Sequence, residues 1–236
     1  MALSLDRQNA YRALYRQHHP NWQPATDVYE EQIRAALRPG MRILDLGCGR
    51  GGVLEQLGEV VEHPFGLDPD LISLREHRLP TLPRAQALAD HLPLRDQSFD
   101  LVVCSWVFEH LTDPTKVFSE LRRVLTPSGK VIFLTPNKTS LIAWLNRLLK
   151  PLQSVLVKRV YGREEADTFP ISYRANTQSD LMQLAAQTGF RCDVLRGIAD
   201  PSYLAFTPLL FRFSSFVAQF TPPVHLVGVF SSDSAV

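Results

Sequence analysis

Four glycines lie close together in the segment ILDLGCGRGG, and their spacing predicts a loop that binds a nucleotide-like ligand. Gly47, Gly49 and Gly52 fit G-x-G-x-x-G, a pattern in which the backbone approaches the pyrophosphate of a dinucleotide. Gly47, Gly49 and Gly51 instead fit G-x-G-x-G, with Asp45 two residues before the first glycine. The loop alone leaves both patterns open, because either one sets backbone N–H groups against a charged ligand.

Two further acids are candidates to contact a nucleoside. Asp68 comes 21 residues after Gly47 and ends the second predicted strand, where a carboxylate can accept hydrogen bonds from ribose hydroxyl groups. Asp90 ends the third predicted strand and could accept a hydrogen bond from an adenine amino group. The alternative is that Asp90 is a turn residue before Pro93, because aspartate side chains stabilise turns.

One histidine is a candidate to move a proton. His110 directly follows Glu109, beyond the fourth predicted strand, and an imidazole can accept a proton near neutral pH. His110 is therefore a candidate general base. The alternative is that His110 packs beside the ligand or steadies the turn that follows.

Alternating strands and helices must position these residues. Strands are predicted at 42–46, 60–68, 84–90, 99–105, 130–136, 190–197 and 224–230. Helices are predicted at 26–40 with a capping box of Asp27 and Glu30, at 52–59, 68–78 and 177–189, and from the Asp113 cap to the sequence TPSG. The alternation predicts a doubly wound α/β sheet, with ligands beyond the carboxyl ends of the strands.

Length and composition limit the class of protein. The 236 residues predict a single domain over 1–236, and a formal net charge of +1 gives no global basic field for nucleic acid. Three distant cysteines without a C-x-x-C pair predict a reducing, cytoplasmic compartment and no metal site. The first residues have no apolar signal segment, and the apolar stretch 203–230 contains Arg212 and prolines, which argues against a spanning helix.

Four segments carry a resemblance to a known family: ILDLGCGRGG, GLDPD, LADHLPLRDQSFDLVVCSWVFEHLTDP and LRRVLTPSGKVIFLTPN. In order and spacing they resemble class I S-adenosylmethionine-dependent methyltransferases, in the type 11 branch that includes the ubiquinone and menaquinone biosynthesis methyltransferases. The resemblance is tight over 26–136 and loose over 176–231. It favours the G-x-G-x-G pattern, and it implies a Rossmann-like seven-stranded sheet with an antiparallel last strand and helices on both faces.

The resemblance also implies a site for S-adenosylmethionine in the core, residues 41–136. Asp45, Gly47, Gly49 and Gly51 would hold the methionine part, Asp68 the ribose and Asp90 the adenine amino group. The remaining predicted contacts with the cofactor are Cys48, Leu67, His91 and Ser105.

Residues that could contact the methyl acceptor lie at both ends of the chain. In similar enzymes the N-terminal segment, here 1–40, folds over the cofactor as a lid. His18, His19 and Trp22 in that segment are candidates to contact the substrate. Tyr173 and Arg174, just before a late predicted helix, are the other candidates, and Arg174 is equally typical of a solvated surface.

Two segments, 137–175 and 198–223, are inserted on the scaffold. They are predicted to determine which acceptor the protein binds. The first combines basic residues with apolar ones and predicts peripheral membrane contact through Trp144, Arg147, Lys150 and Lys158. The second carries many Phe and Leu residues, which indicates a lipid-like acceptor or a dimer interface. Inward packing that completes the core is the equal alternative for both segments, and the chain is predicted to be a monomer or a homodimer.

The leading functional prediction is an enzyme that methylates an oxygen or carbon atom of a small, hydrophobic or lipid-like acceptor. An NAD(P)-dependent oxidoreductase would use the G-x-G-x-x-G pattern but would not explain the segment around Asp90. A scaffold protein that binds the cofactor without catalysis is the other alternative.

Overall fold

The computed structural model describes residues 4–148 and 170–232 and contains one seven-stranded sheet. The strands are β1 (Arg42–Leu46), β2 (His63–Asp68), β3 (Arg84–Gln86), β4 (Phe99–Ser105), β5 (Leu125–Pro136), β6 (Phe190–Ile198) and β7 (His225–Ser232). Their order is β3-β2-β1-β4-β5-β7-β6. The first five strands are parallel, whereas β7 is antiparallel to both β5 and β6. The predicted Rossmann-like sheet with an antiparallel last strand is confirmed.

Helices cover both faces of the sheet, as predicted. They are α1 (Leu5–His18), α2 (Ala25–Ala36), α3 (Val53–Leu57), α4 (Leu71–Arg75), α5 (Pro114–Val124), α6 (Gln178–Thr188) and α7 (Pro208–Val217). Residues 141–148 are also helical. Helices α5 and α6 share one apolar core with the sheet, and α2 and α3 share the other. Strand β4 belongs to both cores, because Val102 and Cys104 face the first and Leu101 and Val103 the second.

The predicted start of α2 was wrong. The helix begins at Ala25, directly after Pro24, and has no side-chain cap. Pro24 has an extended backbone that ends the preceding loop, so the helix starts two residues before the predicted capping box. Asp27 instead accepts a hydrogen bond from Arg16, and Glu30 accepts one from Arg34 within α2.

Three other predicted boundaries were wrong because sheet pairing and capping override local sequence signals. The sequence TPSG does not separate α5 from the next strand, since β5 begins at Leu125, pairs with β4 and contains it. Helix α4 has only five residues, and the carboxylate of Asp70 caps it by accepting from the N–H groups of Ile72 and Ser73. Strand β3 pairs with β2 only as far as Gln86, so Asp90 lies in a turn beyond it.

The N-terminal helix is joined to the second insertion. Arg12 of α1 forms an ion pair of 2.7 Å with the buried Asp200. The ring of Tyr11 lies 4.6 Å from that of Phe211 in α7, measured between centroids. Helix α1 therefore packs on the segment that joins β6 to β7. Among the described helices, none combines the length and apolarity that crossing a bilayer requires.

Candidate functional site

The loop after β1 takes a conformation that explains its glycines. Gly47, Gly49 and Gly51 have φ angles of +78°, +50° and +126°, in the region that favours glycine. A Cβ atom on Gly47 would lie 2.4 Å from Cγ2 of Val107. Gly52 has a φ of −172°, which any residue adopts, and its Cβ position is open. The structure therefore requires glycine in the G-x-G-x-G pattern and does not require it at position 52.

Hydrogen bonds from neighbouring strands fix this loop. The N–H groups of Gly47 and Cys48 both donate to the carbonyl oxygen of Leu67 in β2, at 2.7 and 3.1 Å. The carboxylate of Asp68 accepts from the N–H of Gly49 through Oδ2 and from that of Asp70 through Oδ1, both at 2.8 Å. Each carboxylate oxygen can accept a further hydrogen bond, so Asp68 can hold the loop and still accept from a ligand.

Two buried carboxyl groups give the site its electrostatic character. Burial and, to a smaller extent, the nearby Asp68 carboxylate raise the pKa of Asp45 to about 7. Burial also raises the pKa of Asp68, although the N–H groups of Asp70 and Gly49 oppose this. A ligand with a positive charge would relieve the repulsion between the two groups, whereas a pyrophosphate would increase it. The site is thus better suited to a cation than to a dinucleotide.

The other predicted cofactor residues differ in burial and in their contacts. Cys48 has a buried thiol that lies against Gly66 of β2, and burial raises its thiol pKa to about 12. Ser105 is half-buried at the carboxyl end of β4. Asp90 has its carboxylate 3.7 Å from Nζ of Lys116, and His91 is exposed.

His110 lies on the same edge of the sheet, in a short turn after β4. Its Nδ1 is 3.1 Å from the carbonyl oxygen of Pro170. A carbonyl oxygen can only accept, so Nδ1 carries the proton and Nε2 is the nitrogen of the neutral ring that has an acceptor lone pair. Nε2 lies 3.9 Å from Oε1 of Glu109.

Glu109 is a site residue that the sequence analysis did not select. It is buried, and burial raises its pKa to about 7. Oε2 of Glu109 lies 3.4 Å from the hydroxyl of Thr135, which accepts a hydrogen bond of 2.7 Å from the amide of Asn176. The signal available in the sequence was an acid within SWVFEH, between a buried strand and the candidate histidine.

The backbone is constrained at two residues near Glu109, one before it in sequence and one that contacts it. Trp106 and Tyr173 have φ angles of +60° and +52°, which residues other than glycine rarely adopt. The carbonyl oxygen of Glu109 accepts from the N–H groups of Ser172 and Tyr173, at 2.7 and 3.1 Å. These bonds hold residues 172–173 beside the turn that carries His110. Such strained positions are often found at binding sites.

The remaining candidate substrate residues are occupied by protein contacts or face solvent. His18 is exposed, and the ring of His19 stacks on Tyr15 at 4.1 Å. The indole N–H of Trp22 donates to the carbonyl oxygen of Ala199. Arg174 is exposed and donates to the carbonyl oxygen of Thr112. The structure brings Tyr173 close to His110 through Glu109, and it joins Trp22 to the second insertion.

Comparison with known proteins identifies the family. A family model described as a methyltransferase domain matches residues 44–133. A protein of Mycolicibacterium smegmatis named "Probable S-adenosylmethionine-dependent methyltransferase" is 30% identical over 174 residues, which cover 68% of this chain and 66% of that protein. A ubiquinone biosynthesis O-methyltransferase of Xanthomonas axonopodis pv. citri is 33% identical over 117 residues, 46% of this chain and 49% of the relative.

Solved structures support the same fold. An S-adenosylmethionine-dependent methyltransferase of Mesorhizobium loti has a TM-score of 0.57 at 20% identity, covering 85% of this chain and 96% of its own. Geranyl diphosphate C-methyltransferase of Streptomyces coelicolor A3(2), solved with S-adenosyl-L-homocysteine, has a TM-score of 0.61 at 11% identity, with 87% and 76% covered. The chain belongs to the class I S-adenosylmethionine-dependent methyltransferases.

The loop fits the cofactor of this methyltransferase family. S-adenosylmethionine carries a positively charged sulfonium and a ribose, and the loop places two carboxyl groups beside a glycine backbone that has no side chains. This chain spans about two thirds or less of the length of the curated relatives.

Proposed function

We propose that this protein transfers the methyl group of S-adenosylmethionine to an oxygen or carbon atom of a small, hydrophobic or lipid-like acceptor. The observation that carries the proposal is the loop at Gly47, Gly49 and Gly51, which bends over the buried carboxyl groups of Asp45 and Asp68. When bound, the cofactor supplies an electrophilic methyl group on a positively charged sulfur.

In this proposal the residues at the sheet edge bind, orient and accept a proton. Asp68 accepts hydrogen bonds from the ribose hydroxyls while it fixes the loop through Gly49. Asp45 supplies negative charge beneath the loop and favours a cation. Asp90 and the backbone at Leu67, His91 and Ser105 are proposed for the adenosine part. Orientation of the two reactants and exclusion of water supply much of the acceleration of such a displacement.

Where the methyl group goes to a hydroxyl oxygen, His110 is the proposed base that accepts the hydroxyl proton. The contact of Nδ1 with Pro170 leaves Nε2 of the neutral ring able to accept the hydroxyl proton. Glu109 lies 3.9 Å from that nitrogen and stabilises the imidazolium that forms. The acceptor would lie against Trp106 and Ile171, whose exposed side chains flank this turn.

Membrane contact by the first insertion remains a prediction. Trp144 and Arg147 are exposed on the helical residues 141–148, as such contact requires. Lys150 and Lys158 lie outside the described residues.

Calorimetry and methyl transfer test the proposed function. S-adenosyl-L-homocysteine should bind wild-type protein, NAD should not, and Asp68→Ala should weaken binding at least roughly tenfold, since it removes the ribose and loop contacts together. Transfer of labelled methyl groups to a panel of quinols, phenols and lipid-linked sugars then identifies the acceptor. Binding of NAD without binding of S-adenosyl-L-homocysteine would indicate an oxidoreductase instead.

His110→Ala tests the proposed base. With a phenolic acceptor from that panel, turnover at saturating substrate should fall on the order of a hundredfold, the usual contribution of general base catalysis. Cofactor binding by the variant should not change. Unchanged turnover would remove His110 from the mechanism, and cofactor binding without transfer to any acceptor would favour a scaffold protein.

A further inference from the structure

Helix α7 exposes an unbroken apolar stripe. Leu209, Phe213, Phe216 and Phe220 are 60% to 77% exposed. Their spacing of four, three and four residues places them on one side of a helix and its following turn. The rings of Phe216 and Phe220 lie 5.2 Å apart, measured between centroids. We call these four residues the α7 stripe.

The helix does not need the α7 stripe to hold its position. Its opposite side carries Phe211 and Ser214, which are buried. Phe211 packs against α1, and the hydroxyl of Ser214 donates to the carbonyl oxygen of Pro201 at 2.7 Å. Thr207 caps the first turn by accepting from the N–H of Leu210. The protein thus anchors one side of α7 and presents the other, and large exposed apolar patches usually mark an interaction site.

The dimensions of the α7 stripe argue against a second copy of this chain as its partner. A helix of 10 residues is about 15 Å long. A strip of that length and about 10 Å wide offers far less than the roughly 800 Å² that each partner buries in a stable interface. A bilayer requires no such area, because each apolar side chain that enters it contributes separately.

The charge around the α7 stripe suits an acidic lipid surface. Residues 201–232 include no Asp or Glu, and their one Lys or Arg is the exposed Arg212, beside Phe213. Arg7 of α1 adds a second cation, since its guanidinium donates to the carbonyl oxygen of Phe206. Asp200, the acid that directly precedes this segment along the chain, is buried and paired with Arg12. Around the α7 stripe itself, acidic headgroups would meet Arg212 and no carboxylate of residues 201–232, and the exposed Asp6 lies beside Arg7 on α1.

Contacts connect α7 to the proposed acceptor side of the site. Tyr203, in the turn before α7, has its hydroxyl 3.0 Å from Nε2 of the buried His225. The ring of His225 meets that of Trp106 edge to face, at 5.2 Å. Trp106 precedes the turn of His110. A membrane on the α7 stripe would therefore lie on the side from which an acceptor enters, a consequence that rests on the proposed function.

We propose that the α7 stripe inserts into the surface of a lipid bilayer containing acidic phospholipids, with Arg212 and Arg7 contacting the headgroups. The protein would then take its acceptor from that bilayer. The lipid contact itself does not require methyl transfer, so the two proposals can fail separately.

Vesicle co-sedimentation of the full chain tests the proposal. Wild type should bind vesicles of phosphatidylcholine with phosphatidylglycerol and bind poorly to phosphatidylcholine alone. The triple variant Phe213→Ser/Phe216→Ser/Phe220→Ser should lose at least roughly tenfold in partitioning, because three apolar side chains no longer enter the bilayer. Arg212→Glu should weaken binding to the acidic vesicles selectively.

A matched control replaces exposed apolar residues elsewhere. Val60→Ser/Ile72→Ser/Leu88→Ser changes side chains that are 58% to 63% exposed, and it should partition like wild type. Calorimetry with S-adenosyl-L-homocysteine should give the same affinity for both triple variants and wild type. Vesicle binding that only the stripe variant loses, with S-adenosyl-L-homocysteine binding intact in all three proteins, supports the α7 stripe. The same loss of vesicle binding, in a protein whose wild type does not bind S-adenosyl-L-homocysteine, would leave the α7 stripe standing while the proposed function fails.

Four results would overturn the proposal. One is wild-type binding that is absent or independent of phosphatidylglycerol. Another is equal binding by the stripe variant and wild type, with loss only in Trp144→Ala/Arg147→Ala. A third is a wild-type dimer in gel filtration that the stripe variant abolishes, which would make the α7 stripe a contact between copies. The last is a large fall in the melting temperature of the stripe variant, which would mean that the chain itself covers the stripe.

Discussion

The left-handed backbone at Gly47 is the residue-scale feature on which cofactor binding depends most directly. Gly47→Ala must accept a positive φ, which costs about 1–2 kcal/mol, and must displace Val107. We expect the affinity for S-adenosyl-L-homocysteine to fall at least roughly tenfold in calorimetry, because the loop shifts. Gly52→Ala is the matched control, since its backbone is extended and its Cβ position is open. Equal losses in both variants would contradict this account of the loop.

Ionisation of Glu109 should make stability depend on pH. Burial raises its pKa from 4.5 to about 7, so between these values the native state holds a proton that the unfolded chain has released. The free energy of unfolding should therefore fall as pH rises through that window, by at most about 3 kcal/mol from this group.

Urea unfolding at pH 5 and pH 8 measures this effect. Glu109→Gln should lose less stability over the interval than wild type, whereas Glu31→Gln, on the exposed surface of α2, should follow wild type. Asp45 contributes in the same direction to all three proteins, so the comparison isolates Glu109. If Glu109→Gln lost as much stability between pH 5 and pH 8 as wild type, a group other than Glu109 would be responsible for the titration.

Residue types and spacing predicted the loop but not the side-chain directions around it. Asp45, Gly47 and Asp68 could be chosen because an acid or glycine at the carboxyl end of a parallel strand is typical of a ligand-binding site. Cys48 occupies the same loop, yet its thiol faces Gly66, and no spacing rule gives that direction. Glu109 escaped notice because its importance comes from burial against Thr135, a partner 26 residues away.

At the scale of elements, the ion pair between α1 and the second insertion should hold the N-terminal helix in place. The side chains of Arg12 and Asp200 are 19% and 2% exposed. Arg12→Ala would leave a buried carboxylate unpaired, and we expect a loss of about 2–4 kcal/mol in the free energy of unfolding. Arg16→Ala is the control, because Arg16 and Asp27 are about half exposed and such a pair contributes less than about 1 kcal/mol.

Hydrogen exchange provides the second measurement. Amides of α1 should exchange faster in Arg12→Ala than in Arg16→Ala, since α1 would open locally. Equal exchange rates would show that the apolar contact of Tyr11 with Phe211 holds the helix without the ion pair.

Strands of the central sheet were predictable from sequence, whereas boundaries set by pairing were not. The segment FDLVVCS is apolar throughout, and both faces of β4 are indeed buried. The sequence TPSG resembles a helix terminator, but pairing with β4 continues β5 back to Leu125. Helix α7 has apolar residues on both sides, so its sequence could not indicate which side the protein covers.

At the scale of the whole molecule, close packing between β5 and β7 limits the size of the side chains that fit where these strands pair. Gly228 pairs directly with Phe133, and a Cβ atom there would lie 2.1 Å from that ring. Gly228→Ala should therefore cost about 3 kcal/mol in urea unfolding. Adding Phe133→Leu makes room, so the double variant should be at least about 1 kcal/mol more stable than the sum of the single effects predicts. If the double variant lost only the sum of the two single effects, the ring of Phe133 would move aside in Gly228→Ala.

Strand β7 comes last along the chain but sits inside the sheet, between β5 and β6. Until a ribosome has released that strand, each neighbour presents an open row of amide and carbonyl groups able to pair with another nascent chain. Synthesis therefore leaves this sheet vulnerable to aggregation until β7 arrives, and a chain halted before His225 is a natural client for chaperones.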